Sequence, residues 1–347
     1  MASSCIVQIA TVNNVKKHPD ADALDTCEVL GWQMCVPIGR YKDGDEVVYF
    51  PSDTILTDEW IDKFDVRNYL TGKESNRVHR VKLRGEPSFG LAVDIPDGLI
   101  ANVGDNVAYF FGATKYEQPE KELMQDAIPM MTHLNRYTDI ENIRNFPSIF
   151  ENGEEVEATE KIHGHNCKVG MVEDDDGNLV RVGASMDTNR QEPDDGNDSP
   201  YWHAWKIPGV TDLIRHVLST SGARQVLLFG EAYGGSLQSF HYGIHNGFEF
   251  VAFDLLVGGK YVDPDKFKSL CRKYNVPTVP VLYRGPYSLD KIREAAEGKT
   301  TFKDKHIKEG VIVKPIKERT NSKIGRVVLK YLSDKYLFGK HSDQKDV

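Results

Sequence analysis

Between residues 156 and 336 six short apolar runs each carry a charged residue at or near an end, and this punctuation limits the fold more than any other feature. The runs have strand length, are rich in Val, Ile, Leu and Phe, and are set off by Gly and Pro, which favours strands over long helices. The first ends on Glu160-Lys161-Ile162-His163-Gly164-His165-Asn166. A lysine amine has a reference pKa of about 10.4, so at neutral pH it is almost wholly protonated and a poor nucleophile. To attack phosphorus, it must have its charged form disfavoured by desolvation or by neighbouring cations. Taken alone, the segment reads equally as a strand lysine before a turn.

The remaining runs follow in a fixed order. Arg181 stands twenty residues after Lys161, in Leu179-Val180-Arg181-Val182-Gly183. Phe229-Gly230-Glu231 closes the run from Val226 and precedes a Gly-rich turn, Ala232 to Ser236. Phe250-Val251-Ala252-Phe253-Asp254-Leu255-Leu256 sets an aromatic beside a carboxylate. Glu309-Gly310-Val311-Ile312-Val313-Lys314-Pro315 spaces an acid and a lysine around β-branched residues, and Lys330 lies near the end of Val327 to Tyr331. Singly, each has a plain structural reading: Phe253 as a core aromatic, Glu309 and Lys314 as a surface pair, Arg181 as a strand-edge solubiliser.

Together, in this order and spacing, the motifs resemble the covalent nucleotidyltransferase superfamily. Within it they resemble the ATP-dependent RNA ligases of the double-strand, nick-sealing type. DNA ligases and capping enzymes usually carry Asp where this chain has His163. The resemblance spans residues 156 to 336 and implies a sequence of three steps. Lys161 takes AMP from ATP, the AMP passes to an RNA 5′-phosphate, and a 3′-hydroxyl displaces it. The resemblance also implies roles for individual residues. Backbone groups of Glu160 and Ile162 read the adenine edge, Phe253 stacks on the base, and Arg181 and Asn166 contact ribose or phosphate. His163 bonds to phosphate or ribose, Lys314 and Lys330 flank the α-phosphate, and Asp254 helps arrange a metal or an RNA end. Mg²⁺ or Mn²⁺ is expected at Glu309 and Glu231, partly through water. One departure stands out: related ligases commonly carry a second basic residue two places after the last lysine, and here that place is Leu332. Lys335 or Arg326 is the expected substitute. A DNA ligase, a capping-type guanylyltransferase and a non-catalytic RNA-binding protein are the alternatives.

The first third of the chain has a different texture. Short strands are expected at Ile6–Val15, Thr26–Pro37, Glu46–Phe50, Val78–Leu83, Gly90–Ile95 and Asn106–Phe111, interrupted by a helix bearing Trp60, Ile61, Phe64 and Leu70. Their number and Gly-rich turns suggest a small closed barrel. His18-Pro19-Asp20-Ala21-Asp22-Ala23-Leu24 resembles the opening signature of tRNA-binding oligonucleotide/oligosaccharide-binding (OB) barrels, and equally a Pro/Asp turn before the next strand. An OB-like domain ahead of the ligase core is the layout of RNA ligases of the Deinococcus type. The expected organisation is therefore an α+β chain. An OB-like barrel at 1–117 is expected to bind RNA, and 118–150 is a linker with a short helix at Asp139–Arg144. A nucleotidyltransferase (ATP-grasp-like ligase) domain of antiparallel sheets with flanking helices follows at 151–340. Its helices are expected at Val210–Leu218, Pro264–Tyr274 and Leu289–Ala296, with a mobile loop at Asp187–Ser199.

Charge tempers this reading. The net charge is −9, unusual for an RNA-binding protein. The acidity is local, however: Glu151–Pro200 holds fourteen acids against four Lys or Arg, whereas Thr301–Val347 holds twelve Lys or Arg against six acids. Arg77, His79, Arg80, Lys82 and Arg84 form a second basic cluster, either a phosphate-binding patch or a solvated face. RNA with 3′-hydroxyl and 5′-phosphate ends, duplex or splinted, is the expected partner of a monomer. No run approaches eighteen apolar residues, so no membrane span is expected. Five scattered cysteines without a C-x-x-C pair argue for a reducing, cytoplasmic or similar intracellular compartment and against structural zinc. Cys167, beside the nucleophile segment, reads as a small buried strand residue.

Overall fold

The computed structural model describes residues 6–116, 126–128, 134–151, 153–194 and 198–339. They form two compact units: Met1–Glu120 with Arg144–Pro147, and Lys121–Ile143 with Ser148–Asp346.

In the first unit, strands β1 (Gln8–Lys17), β2 (Leu24–Val29), β3 (Trp32–Pro37), β4 (Glu46–Phe50) and β5 (Leu91–Val93) form an antiparallel sheet ordered β3-β2-β1-β4-β5. The Phe89 N–H donates to Gln33 O at 2.9 Å and the Cys35 N–H to Ser88 Oγ at 3.0 Å, so β3 is brought round toward the far edge and the barrel nearly closes. Helix α1 (Asp58–Phe64) buries Trp60 and Ile61 against Phe50 and Phe111.

The expected strands need correction in three places. Thr26–Pro37 is a hairpin, because Leu30 (φ 53°) and Gly31 (φ 77°) form a two-residue turn with both angles positive. Val78–Leu83 is strand only at Val81–Leu83, which pairs with Glu86–Ser88 across an equivalent turn at Arg84 and Gly85. Asn106–Phe111 is a series of turns with a single bridge, Gln8 to Asn106. His18 is buried, its Nε2 lying 2.9 Å from Leu83 O and its Nδ1 accepting the Asp20 N–H, so this histidine pins its own turn. Arg77 is likewise withdrawn from the basic cluster: it pairs with Asp53 in a half-closed site and lies 3.8 Å over the Tyr116 ring.

The second unit is built on two sheets. Strands β6 (Glu155–Lys161), β11 (Val281–Pro286), β12 (Gly310–Pro315) and β13 (Leu329–Leu332) make one, ordered with the short strand Glu141–Asn142 as Glu141–Asn142, β13, β12, β6, β11. Strands β7 (His165–Glu173), β8 (Leu179–Ala184), β9 (Gln225–Tyr233) and β10 (Glu249–Val257) are the centre of the other. Its edges are Lys260–Tyr261 on one side and Asn189–Arg190 with Ala127–Ile128 on the other. Helices α2 (Pro208–Ser221), α3 (Pro264–Lys273) and α4 (Leu289–Ala296) lie where the apolar stripes place them. Helix α2 starts on Pro208, buries Val210, Leu213, Ile214 and Val217, and stops at Gly222 in the left-handed conformation.

Part of the expected linker belongs to this unit. Residues 117–125 and 129–133 lie outside the described residues, but Leu134 and Tyr137 are buried in its core. Asp139–Arg144, expected as a helix, holds the strand Glu141–Asn142, parallel to β13, and the start of a 3-10 turn, Ile143–Asn145. In the expected loop Asp187–Ser199, Asn189 and Arg190 are buried strand residues, and residues 195–197 lie outside the described set. Cys27, Cys35, Cys167 and Cys271 are free thiols; Cys5 is outside the described residues. Among the described residues no helix is long and apolar enough to cross a membrane.

Candidate active site

Strand parity decides which charges meet. In the first sheet Lys161 pairs with Gly310, Thr159 with Ile312 and Glu157 with Lys314, while Ile312 also pairs with Lys330. Residues paired across neighbouring strands share a face, so Lys161, Lys314 and Lys330 project from one side. In the second sheet Asn166 pairs with Glu231, on the face opposite that of Cys167, Val169 and Val226. Cys167 is therefore a core residue: burial pushes its thiol well above the usual range, and it packs with α2.

The Lys161 amine, one quarter exposed, forms an ion pair with Glu309 Oε1. Glu309 itself is almost fully buried, and its Oε2 has no hydrogen-bond partner, with His163 Nδ1 3.5 Å away. A buried carboxylate oxygen without a partner is costly and marks a place made for a group yet to arrive. Glu231 completes the arrangement. Burial pushes its carboxyl up to about 8; the Lys161 charge opposes the shift, Glu309 adds to it, and a bond from the Gly164 backbone opposes it again. The turn after Lys161 must be tight for this to happen. Any Cβ on Gly164 would stand 2.2 Å from Ala232 O, and one on Gly310 2.2 Å from Tyr331 O.

His163 is buried among aromatic rings. Its N–H donates to Tyr242 Oη at 2.7 Å, Tyr336 Oη lies 3.2 Å from Nδ1, and Phe240 and Tyr336 meet the imidazole edge-on. Ile162 packs into the same wall with Tyr233 and Val251. Phe253 occupies a bulge: Gly230 pairs with Ala252 and Phe229 with Asp254, leaving Phe253 unmatched. Bulges turn a side chain out of the sheet's alternation, and Phe253, half-buried, packs against two aromatic clusters at once. Asn166 Oδ1 is buried with no partner. Glu160 points the other way from Lys161; its carboxylate accepts from Thr300 Oγ1, from the Thr301 N–H at 3.1 Å and from Thr301 Oγ1 at 2.7 Å.

Three expected phosphate or ribose contacts are placed differently. Lys314 donates to Asp254 Oδ1 at 2.8 Å and to Phe253 O at 2.9 Å, deep in a closed network. Arg326, one expected substitute for Leu332, closes that network: it donates to Asp254 Oδ2 at 3.0 Å and grips Glu318 with two nitrogens. Burial alone would raise the Asp254 carboxyl, but the Arg326 and Lys314 charges override it and hold it at about 2. Leu332 is fully buried, and Lys335 is exposed. Arg181 lies on the opposite face of its sheet from Glu231, because it pairs with Met171, which pairs with Val226. There its guanidinium sits 4.5 Å from the Trp205 ring and 3.2 Å from Glu192.

The sequence reading passed over Arg190 and Lys168. Arg190 is buried, donates from Nη1 to Asp126 at 2.6 Å, and leaves Nε without a partner. Its guanidinium lies 4.7 Å from the Tyr201 ring, which stacks on His165 of the turn after Lys161. Lys168 is fully buried on the Glu231 face, bonds to the carbonyls of Asn135 and Met186, and is pushed down to about 8 by burial. A lysine in an apolar strand was the only signal for Lys168, and Arg190, in the polar run Met186 to Glu192, carried none.

The donor set suits a hard divalent cation. Glu309 and Glu231 offer carboxylate oxygens, and an ion that keeps waters and phosphate oxygens needs few protein ligands. Among the described residues no group of three or more His, Cys, Asp or Glu is gathered for an all-protein metal cage.

Residues 154–332, just over half of the chain, match a family model described as RNA ligase, and residues 6–95 match an OB-fold domain. Solved structures of Naegleria gruberi RNA ligase are similar along nearly the whole chain. The one with pyrophosphate is 24% identical with a TM-score of 0.70, covering 96% of this chain and 98% of that one. A variant with ATP and Mn is 25% identical with a TM-score of 0.70 over 96% and 98%. An apo variant is 25% identical with a TM-score of 0.71 over 96% and 97%. No curated protein matches the sequence.

Proposed function

The chain belongs to the RNA ligase family, and on that premise we propose that it joins RNA 3′-hydroxyl and 5′-phosphate ends with ATP, through AMP carried on Lys161. The observation that carries this reading is the Lys161–Glu309 pair, held beside Glu231 with one Glu309 oxygen unpartnered. The first step forms a bond between the Lys161 nitrogen and the α-phosphorus and breaks the α–β anhydride, releasing pyrophosphate. The amine must first lose a proton to become a nucleophile. A divalent ion on Glu309 and Glu231 supplies charge neutralisation for the triphosphate and for these carboxylates. We assign the phosphate contact to Lys330, which projects from the same sheet face as Lys161.

The AMP then moves to the RNA 5′-phosphate, and attack by the 3′-hydroxyl expels it. Phe253, turned out by its bulge, is the stacking surface for the base. Arg190, with its free Nε, takes the ribose or phosphate role first expected of Arg181. Phosphoryl chemistry of this kind is mainly positioning and charge stabilisation. That the related Naegleria gruberi enzyme is solved with ATP and Mn supports the nucleotide and metal assignment. A monomer acting on duplex or splinted RNA belongs to the same reading, with the OB-fold unit as an RNA-binding module.

The test is a panel of nicked and splinted duplexes carrying RNA or DNA on each side, with ATP or GTP as donor. Joining of RNA ends with ATP and a divalent ion is expected. Joining of DNA alone, use of GTP alone, or no joining of any end would overturn the proposal.

A further inference from the structure

Glu160 is a buried carboxylate, 1% exposed, whose hydrogen bonds among the described residues all come from Thr300 and Thr301. Among the described residues no cation hydrogen-bonds to it, although the Lys308 amine interacts with its charge. The two threonines sit on a tight loop, 298–308, closed by the Thr300 N–H to His306 O at 2.9 Å and the Lys308 N–H to Gly298 O at 3.0 Å. The loop runs directly into Glu309. One segment therefore grips the residue before the nucleophile at one end and carries the nucleophile's ion-pair partner at the other. Because Glu160 and Lys161 are neighbours at the end of β6, fixing the Glu160 side chain fixes the peptide from which Lys161 projects. A buried carboxylate is tolerated where hydrogen bonds replace water, and apolar packing alone would also anchor a strand end. What three convergent donors provide is a fixed orientation.

We infer that Thr300 and Thr301 are positioning residues for Lys161, acting through the Glu160 carboxylate to set the amine against Glu309. The inference rests on the ligase reading above, and the two can fail separately. Only formation of the lysyl-AMP uses Lys161 as nucleophile, whereas sealing of RNA already carrying a 5′-AMP does not. A misplacement of about an ångström costs a positioned reaction about a hundredfold.

The experiment compares Thr300→Val and Thr301→Val with wild type and with Thr300→Ser and Thr301→Ser. It measures lysyl-AMP formation at varied ATP, sealing of pre-adenylylated nicked RNA, and thermal unfolding. Expected is a fall of about 10- to 100-fold in the maximal rate of lysyl-AMP formation in the valine variants. The ATP concentration for half-maximal rate and the sealing rate should stay within about threefold of wild type, and the serine variants should be restored. Unchanged lysyl-AMP formation, or a parallel loss of both reactions together with the unfolding temperature, would overturn the inference. Absence of lysyl-AMP in wild type would instead overturn the ligase reading.

Discussion

Two ion clusters lie between the same pair of sheets, and one is finished while the other is not. Around Asp254, two cations and two carboxylates satisfy one another: Lys314 and Arg326 hold Asp254, and Arg326 grips Glu318. Around Lys161 there is one partly exposed amine, one buried carboxylate with a spare oxygen, and a second carboxyl raised to about 8 by its surroundings. The same residue types recur within one six-residue motif, Glu309 to Lys314, yet one end belongs to each cluster. The difference teaches that buried charge by itself does not mark chemistry. A neutral, fully bonded network braces the sheets, and the incomplete one is where we propose that phosphate and metal bind.

The contrast can be broken most forcefully at Asp254. Asp254→Ala strands two buried cations, and loss of one partner of such a network costs about 3–5 kcal/mol. Calorimetry should show a large fall in unfolding temperature; a fall no greater than that of a surface variant would mean the network is not a brace. At Glu309 the outcome should invert. Glu309→Gln is expected to slow lysyl-AMP formation by about 100-fold or more, the scale of one lost charge-stabilising group, with little loss of stability. A variant as active as wild type would remove Glu309 from the site.

The arginines sharpen the comparison further. Arg190→Ala is expected to cost about 100-fold in lysyl-AMP formation, and Arg181→Ala less than about threefold, since an exposed cation paired with an exposed acid contributes little. The reverse order would restore Arg181 to the site. The smallest effect is on stability and pH. Glu231 binds its proton more tightly folded (about 8) than unfolded (about 4.3), so its contribution is fully present in acid and is lost as pH rises through 8. Without metal, Glu231→Gln should match wild type near pH 4 and melt a few degrees higher at pH 9. A variant that melts lower at pH 9 would contradict the raised carboxyl.

Much of this was legible before the structure. Alternation and turn residues placed most strands, the stripe from Val210 to Val217 placed α2, and Lys161, Glu231 and Glu309 converge as their motifs imply. What stayed hidden depends on register. Arg181 lies at the expected spacing from Lys161, but its face follows from pairing with Met171, and one residue of shift would reverse it. The turn at Leu30 was missed because leucine rarely adopts a positive φ. The bond from Lys314 to Asp254 joins residues sixty apart, and no local signal announces it. The resemblance places Lys314 at the α-phosphate, and the structure shows its amine bonded to Asp254 and to the Phe253 carbonyl.

The central claim is that Lys161, not Lys314, Lys168 or Lys330, carries the nucleotide. It is tested most directly by incubating the protein with α-labelled ATP and Mg²⁺, denaturing it, and mapping the labelled peptide by mass spectrometry. The account predicts one AMP per chain on Lys161, absent when Lys161 is replaced by Ala. AMP on another lysine, or no covalent nucleotide on intact protein, would contradict it.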